Sequence, residues 1–476
     1  MTSSTLLVGP FNRVEGDLEI KLDIEDGRVT AAYANSPLFR GFEPMLQGKM
    51  PLDALTITPR ICGICSISQS AAAAAALGNL AGHSPAAQGA LVASVLHGVE
   101  NICDHITHFN LFFCADFARP GYAGRAWHAR AVERFTAIEG SAVRACVEAR
   151  AQVLHIVGLL GGKWPHTLAI QPGGVTRAPT ARDRIRMTTT LREFRRYLET
   201  VLFGAPLGDF VACSAEEMLA WQSGDVGLFM EIATDLDLAS VGQGPGRYMS
   251  FGAYPRGEER AFGPGLWENE AVSALDTTAI SEDLSHAWMK GPDAHPSQGQ
   301  TTPDEDMADP GYSWCKAPRL GSQTVETGAF ARQVIDGHPA VADMAKAGGG
   351  VLARIAGRLL EVARTQILLE NWVSAITPEA RFMDQVPLPE AGAGEGLVEA
   401  ARGSLGHWVT LKGGRIDGYQ IIAPTTWNFS PRDASGNPGP VEAALVGAPV
   451  GDGEQTPLSV QHIVRSFDPC MVCTVH

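Results

Sequence analysis

Residues 60–82 read RICGICSISQSAAAAAALGNLAG: two cysteines spaced C-x-x-C, then a run of alanines closed by a glycine. Alanine is the best helix former and Gly82 suits a helix C-terminus, so a helix is expected whose first turn begins at the second cysteine. Amides at that end favour a thiolate. Upstream, Leu18, Ile20, Leu22 and Ile24 alternate with charged residues, Asp26-Gly27 supplies a turn, and Val29, Ala31 and Tyr33 resume the alternation: a β-hairpin. Downstream, apolar residues recur at helical period over 85–113 (Leu91, Val95, Leu96, Val99, Ile102, Ile106), 127–160, 180–203 and 351–372. Long helices of this kind predict a bundle. The stretch 240–320, rich in Gly, Pro and aromatics, reads as loops and short strands embellishing it. A second hairpin is expected over 407–411 and 415–422 around Lys412-Gly413-Gly414, and a last short helix over 457–467. The expected fold class is mainly α (α+β), a large central helical bundle with small peripheral antiparallel hairpins, in a single domain over 1–476.

The 476 residues are 45% hydrophobic, enough to fill a large core. Only 19% are charged, against roughly 25% in an average soluble domain, which points to surface buried on a partner chain. Lys plus Arg (37) minus Asp plus Glu (52) gives −15, which speaks against binding nucleic acid or anionic lipid. No apolar run reaches the about 18 residues of a membrane span, and no basic segment leads into a long apolar one at the start, so a cytoplasmic protein is expected.

The nine cysteines, an odd number in a long chain, do not suggest a disulfide framework. Four fall in two pairs, Cys62 with Cys65 and Cys470 with Cys473. If the pairs meet, three chemistries suit them: a closed structural zinc, a redox dithiol at each pair, or a redox-active transition metal with an open position. On spacing alone, zinc is a common answer for four cysteines. His97, His105 and His108 share a helix at near-facial spacing but read better as core residues than as ligands.

The surrounding motifs resemble, along nearly the whole chain, the large subunit of nickel–iron hydrogenases. They are Arg13-Val-Glu15-Gly16, Arg40-Gly-Phe-Glu43 ahead of Arg60-Ile-Cys62-Gly-Ile-Cys65, GGKWPH (161–166) with GGV (173–175), YSWCKAPR (312–319), ETGAFAR (326–332), ARGSLGHW (401–408), PTTWNFSPRD (424–433) and DPCMVCTVH (468–476). The resemblance implies that family's fold and the reaction H2 ⇌ 2 H+ + 2 e−. It implies that Cys62 and Cys470 bind nickel terminally and that Cys65 and Cys473 bridge nickel to an iron carrying carbon monoxide and cyanide. Cys470 would take the proton and Glu15 would shuttle it away. Arg402 would stand over the open position, held by Asp116 and Asp468, while Thr425 and the backbone beside Arg402 would bond the cyanides. Glu43, the carbonyl of Ile421 and the imidazole of His476 match the family's divalent-cation site, described as Mg2+. The other five cysteines lack cluster spacing, so the electrons need an iron–sulfur small subunit.

Departures from the family pattern are Gln69 where histidine is usual, Asp17, Ala401 and Pro59. Ile64 and Phe112 stand where smaller residues are common, and would narrow gas access. These features resemble the regulatory subgroup, H2 sensors that report to a histidine kinase and turn over slowly; the stop at His476 points the same way. The expectation is therefore a cytoplasmic H2-sensing hydrogenase large subunit. A respiratory uptake enzyme is the alternative, and a non-catalytic zinc-binding signalling scaffold the further one.

Overall fold

Alternation builds the first sheet: β1 (Ser3–Val8), β2 (Glu19–Glu25) and β3 (Arg28–Asn35) pair antiparallel in that order. The computed structural model describes residues 3–257 and 259–476. The expected hairpin turns at Asp26-Gly27, with Leu18, Ile20, Leu22 and Ile24 buried. Its second strand is out of the expected phase. Ala32 and Ala34 are buried instead of Ala31 and Tyr33, because a bulge between Asp23 and Ile24 shifts the register and swaps the faces.

The alanine-rich stretch forms α1 (Ser66–Leu80), and the next periodic stretch forms α2 (Ala87–Thr107), which continues in wider turns through His108–Phe113. The stretch 127–160, expected as one helix, is three: His128–Phe135, Ser141–Val153 and His155–Gly161. Ile138 adopts a left-handed φ of 70°, and a Cβ on Gly140 would come within 2.3 Å of the Arg134 carbonyl, so the chain breaks there. Thr180 and Asp183 form a capping box at the start of helix Ala181–Tyr197. The long helix α3 (Val351–Ala375) packs on α2 where Gly98 meets Leu369 and Trp372. Short antiparallel strands occupy 248–320.

The third three-stranded sheet is β4 (Gly392–Ala400), β5 (Gly403–Lys412) and β6 (Arg415–Ile422), the last two being the expected hairpin. β4 was not expected. Its sequence, GAGEGLVEA, carries glycine where its backbone touches α1: a Cβ on Gly396 would lie 2.0 Å from the Ala72 carbonyl, and one on Gly394 2.4 Å from that of Ala76. β4 thus lies along α1, the helix that follows Cys65, and leads into the β4–β5 turn, which bears Arg402. The result is a mixed helix and sheet fold of long packed helices with small antiparallel sheets.

Candidate metal centre

The two ends of the chain converge through backbone pairing. Glu15 N–H donates to the Pro469 carbonyl at 3.3 Å, and Met471 N–H donates to the Glu15 carbonyl at 2.7 Å. Gly16, at φ 83°, lets the segments close: a Cβ there would lie 2.9 Å from Val472 Cγ1. Cys62 and Cys65 precede α1, and Cys470 and Cys473 follow helix Leu458–Ser466.

All four cysteines are free and buried. Cys470 Sγ lies 3.4 Å from Cys62 Sγ and 3.0 Å from Cys473 Sγ, which is 3.4 Å from Cys65 Sγ. Hydrogen bonds from Cys470, Cys473 and Cys65 hold the Cys62 thiol well below its ordinary range. Contact with Cys470 drives Cys65 and Cys473 up, and burial raises Cys470. A buried set of four soft donors fits a thiophilic transition metal, which binds by displacing those protons. Arg402, whose charge acts on Cys62 and Cys470, is itself paired with Asp104 through Nη1 at 2.8 Å, while Gln69 Nε2, four residues after Cys65, has no hydrogen-bond acceptor.

Arg402 Nε donates to the Asp468 carbonyl at 2.9 Å, and Nη2 donates to Asp468 Oδ1 at 3.1 Å and to Asp104 Oδ1 at 3.0 Å. Burial works against its charge, but Asp104 and Asp468 outweigh it and keep the guanidinium protonated. The expected partner Asp116 is not there. It lies beyond the end of α2 and takes Arg465, Arg13 and Arg119 instead, with Arg119 Nε at 3.1 Å. Asp104, inside α2, fills the expected place; burial pushes its carboxyl up to about 7.

Glu15 is half-buried; burial raises its pKa, and Cys62 adds to the rise. Thr425 Oγ1 accepts from Cys470 N–H at 3.0 Å, so its hydroxyl borders the thiols. Ile64 and Phe112 are partly buried, and the Phe112 carbonyl accepts from Arg13 at 2.9 Å. His97, His105 and His108 are buried and hydrogen-bonded to Ser68, Glu361 and the Arg465 carbonyl, as core residues.

Glu43, Ile421 and His476 do meet. His476 Nε2 faces both the Ile421 carbonyl and, at 3.5 Å, Glu43 Oε1. A ring proton and a divalent cation would compete for these two oxygens, which fits a cation site. Four neighbours were not singled out in the sequence. Lys316 Nζ reaches Gln420 Oε1 at 2.7 Å and both Glu43 and Glu282 at 3.3 Å, and Thr301 donates to Glu43. Burial would raise Glu43, but Lys316 and His476 bring it down to about 2. Lys316 lies inside YSWCKAPR and Gln420 in the expected 415–422 strand, while Glu282 and Thr301 lie in the loop-rich stretch 240–320.

A family model described as nickel-dependent hydrogenase matches residues 40–138 and 141–476. The periplasmic NiFeSe hydrogenase large subunit of Desulfomicrobium baculatum is 28% identical, over 98% of this chain and 94% of that one. The uptake hydrogenase large subunit of Rhizobium leguminosarum bv. viciae is 27% identical, over 99% and 95%. The reduced Ni-Fe-Se hydrogenase of Desulfovibrio vulgaris Hildenborough matches with a TM-score of 0.87 at 27% identity, covering 100% of both chains. The chain belongs to the nickel-dependent hydrogenases. It is accordingly an oxidoreductase acting on H2. None of these relatives is named as a sensor, so they do not carry the regulatory expectation.

Proposed function

We propose that the chain is the large subunit of an H2-oxidising hydrogenase that works with an iron–sulfur small subunit. The observation behind this reading is the meeting of Cys62, Cys65, Cys470 and Cys473, free and buried, beside an arginine clamped by two carboxylates. Cys62, Cys65, Cys470 and Cys473 would hold a nickel–iron pair, which when bound would supply the chemistry that polarises and splits H2.

The chain's own part is to handle protons and charge. Cys470 Sγ accepts the proton, and Glu15, paired with it through the backbone and raised by burial, carries it onward. Arg402 holds a fixed positive charge over the reacting position, with Asp104 and Asp468 setting its orientation. Thr425, whose hydroxyl accepts from Cys470 N–H, and the backbone beside Arg402 would bond an iron's diatomic ligands. Glu43, the Ile421 carbonyl and His476 would hold a divalent cation, read as Mg2+.

Among the described residues the cysteines outside the centre form no second cluster that could hold an iron–sulfur relay, so the two electrons per H2 would leave through the partner. No helix there is long and apolar enough to cross a membrane. Elemental analysis with infrared spectroscopy tests the reading: nickel and iron together with carbon monoxide and cyanide bands support it, and zinc alone ends it.

The uptake direction follows the printed name of the Rhizobium relative. A second reading, a slow cytoplasmic H2 sensor signalling to a histidine kinase, is favoured by Ile64, Phe112 and the Gln69 network. Gln69 Oε1 pairs with His407 Nε2 at 2.8 Å, and His407 Nδ1 with Tyr419 Oη at 2.8 Å. Burial brings His407 down to about 3, so it stays neutral and no side chain of this network gains or loses a proton near pH 7. Fast turnover with a dye acceptor supports uptake. Slow turnover, with H2-dependent kinase phosphorylation, supports sensing.

A further inference from the structure

Glu100 is a carboxyl for which the chemistry above has no use. It lies fully buried on α2, and among the described residues no arginine or lysine pairs with it. Its Oε2 accepts from Ile67 N–H at 2.8 Å and from Trp164 Nε1–H at 3.2 Å; its Oε1 accepts from Ser68 N–H at 2.9 Å. The Ser66 hydroxyl is 3.4 Å away. These donors come from the first turn of α1, directly after Cys65, and from the GGKWPH motif.

Ser68 Oγ stands 3.0 Å from Glu100 Oε1 and 3.0 Å from His97 Nε2. Ser68 donates its one hydroxyl hydrogen to Glu100 Oε1, so in the contact with His97 the donor is the ring's Nε2–H and Ser68 Oγ accepts. His97 in turn lines a cleft of about 600 Å³ between α1, α2 and β4 that opens to solvent. Two hydrogen bonds therefore link the buried carboxyl to a side chain on the wall of that cleft.

We propose that Glu100, Ser68 and His97 form a proton-loading site: Glu100 takes up one proton from water in the cleft, through His97 and Ser68, when the thiolate-held centre gains one electron. The proton returns by the same route when the electron leaves for the small subunit. The inference rests on the hydrogenase reading. A buried carboxylate beside the turn that carries Cys65 opposes added negative charge on the centre, and protonating it relieves that opposition. Burial already pushes Glu100 up to about 8, so it is ionised, and open to loading, chiefly at and above that pH. The other charged or titratable groups around it do not neutralise it. They are Cys103 and Asp104 on its own helix, Arg150 stacked over Trp164 at 4.9 Å, His166 bonded to the Pro59 carbonyl, Glu399 tied to Arg332, and Cys65 itself.

The test uses the metal-loaded heterodimer, titrated electrochemically with infrared detection across pH roughly 6 to 9. On reduction, a carboxyl C=O band is expected to grow, and the midpoint potential to fall as pH rises through the titration of Glu100. Glu100→Gln is expected to lose both, while Glu15→Gln keeps the band. Ser68→Ala keeps the carboxyl but cuts the link to His97, so the band is expected to form more slowly after a pH jump. A band that survives Glu100→Gln, or a potential curve superimposable on wild type, overturns the proposal. If Glu100→Gln does not assemble, Ser68→Ala decides alone, and an unchanged rate overturns it. A preparation without diatomic-ligand bands fails the hydrogenase reading instead.

Discussion

Arg402 and Asp104 form an ion pair at 2.8 Å, while Asp116 is held by Arg13, Arg119 and Arg465. The two aspartates therefore answer to different measurements. Asp104→Asn is expected to lower H2-dependent dye reduction by about 10- to 1,000-fold at unchanged nickel content, because the cation over the site loses its orientation. Asp116→Asn leaves three arginines around a neutral amide and is expected to cost about 3–5 kcal/mol in denaturant unfolding, with activity per nickel retained. The reverse pattern would restore Asp116 to the site.

Cys470→Ser removes both a terminal ligand and the first proton acceptor. Exchange of H2 with D2O, followed by mass spectrometry, is expected to vanish. Full exchange in this variant would refute the assignment of Cys470.

His462 stacks on Phe117 with ring centroids 5.0 Å apart and shares a hydrogen bond with the Tyr122 hydroxyl. Burial brings it from 6.5 down to about 4. The unfolded chain binds the proton first, so stability is lost as pH falls from 6.5 towards 4 and is present above that window. Relative to His462→Gln, wild type is expected to lose about 2 kcal/mol between pH about 7 and 5, measured by denaturant unfolding. A difference that does not change with pH would show that His462 does not titrate in this window.

Ile64→Val combined with Phe112→Leu is expected to speed inactivation under air if these side chains narrow gas access. The rate of activity loss at fixed oxygen checks it, and unchanged kinetics count against the narrowing.

Local rules reached part of this fold. The β2–β3 hairpin and α1 were legible because alternation, a turn dipeptide and an alanine run act within a few residues. The break at Ile138 and Gly140 was hidden because apolar period continues across it. β4 was hidden because its glycines answer to the Ala72 and Ala76 carbonyls of α1, a contact that spacing along the chain does not encode. Among the site residues, Cys62, Cys65, Cys470 and Cys473 announced themselves by repeated spacing. Asp104 did not, since a charged residue inside a helix reveals its partner only when α2 and the β4–β5 turn are placed together. Glu100 was silent for the same reason.

The sulfurs that meet at the centre belong to residues 408 positions apart. A polypeptide whose synthesis stops anywhere between them carries only half of the four thiols. A complete four-thiol centre can therefore form only after the ribosome has finished the last few residues and the tail has folded back to meet the head.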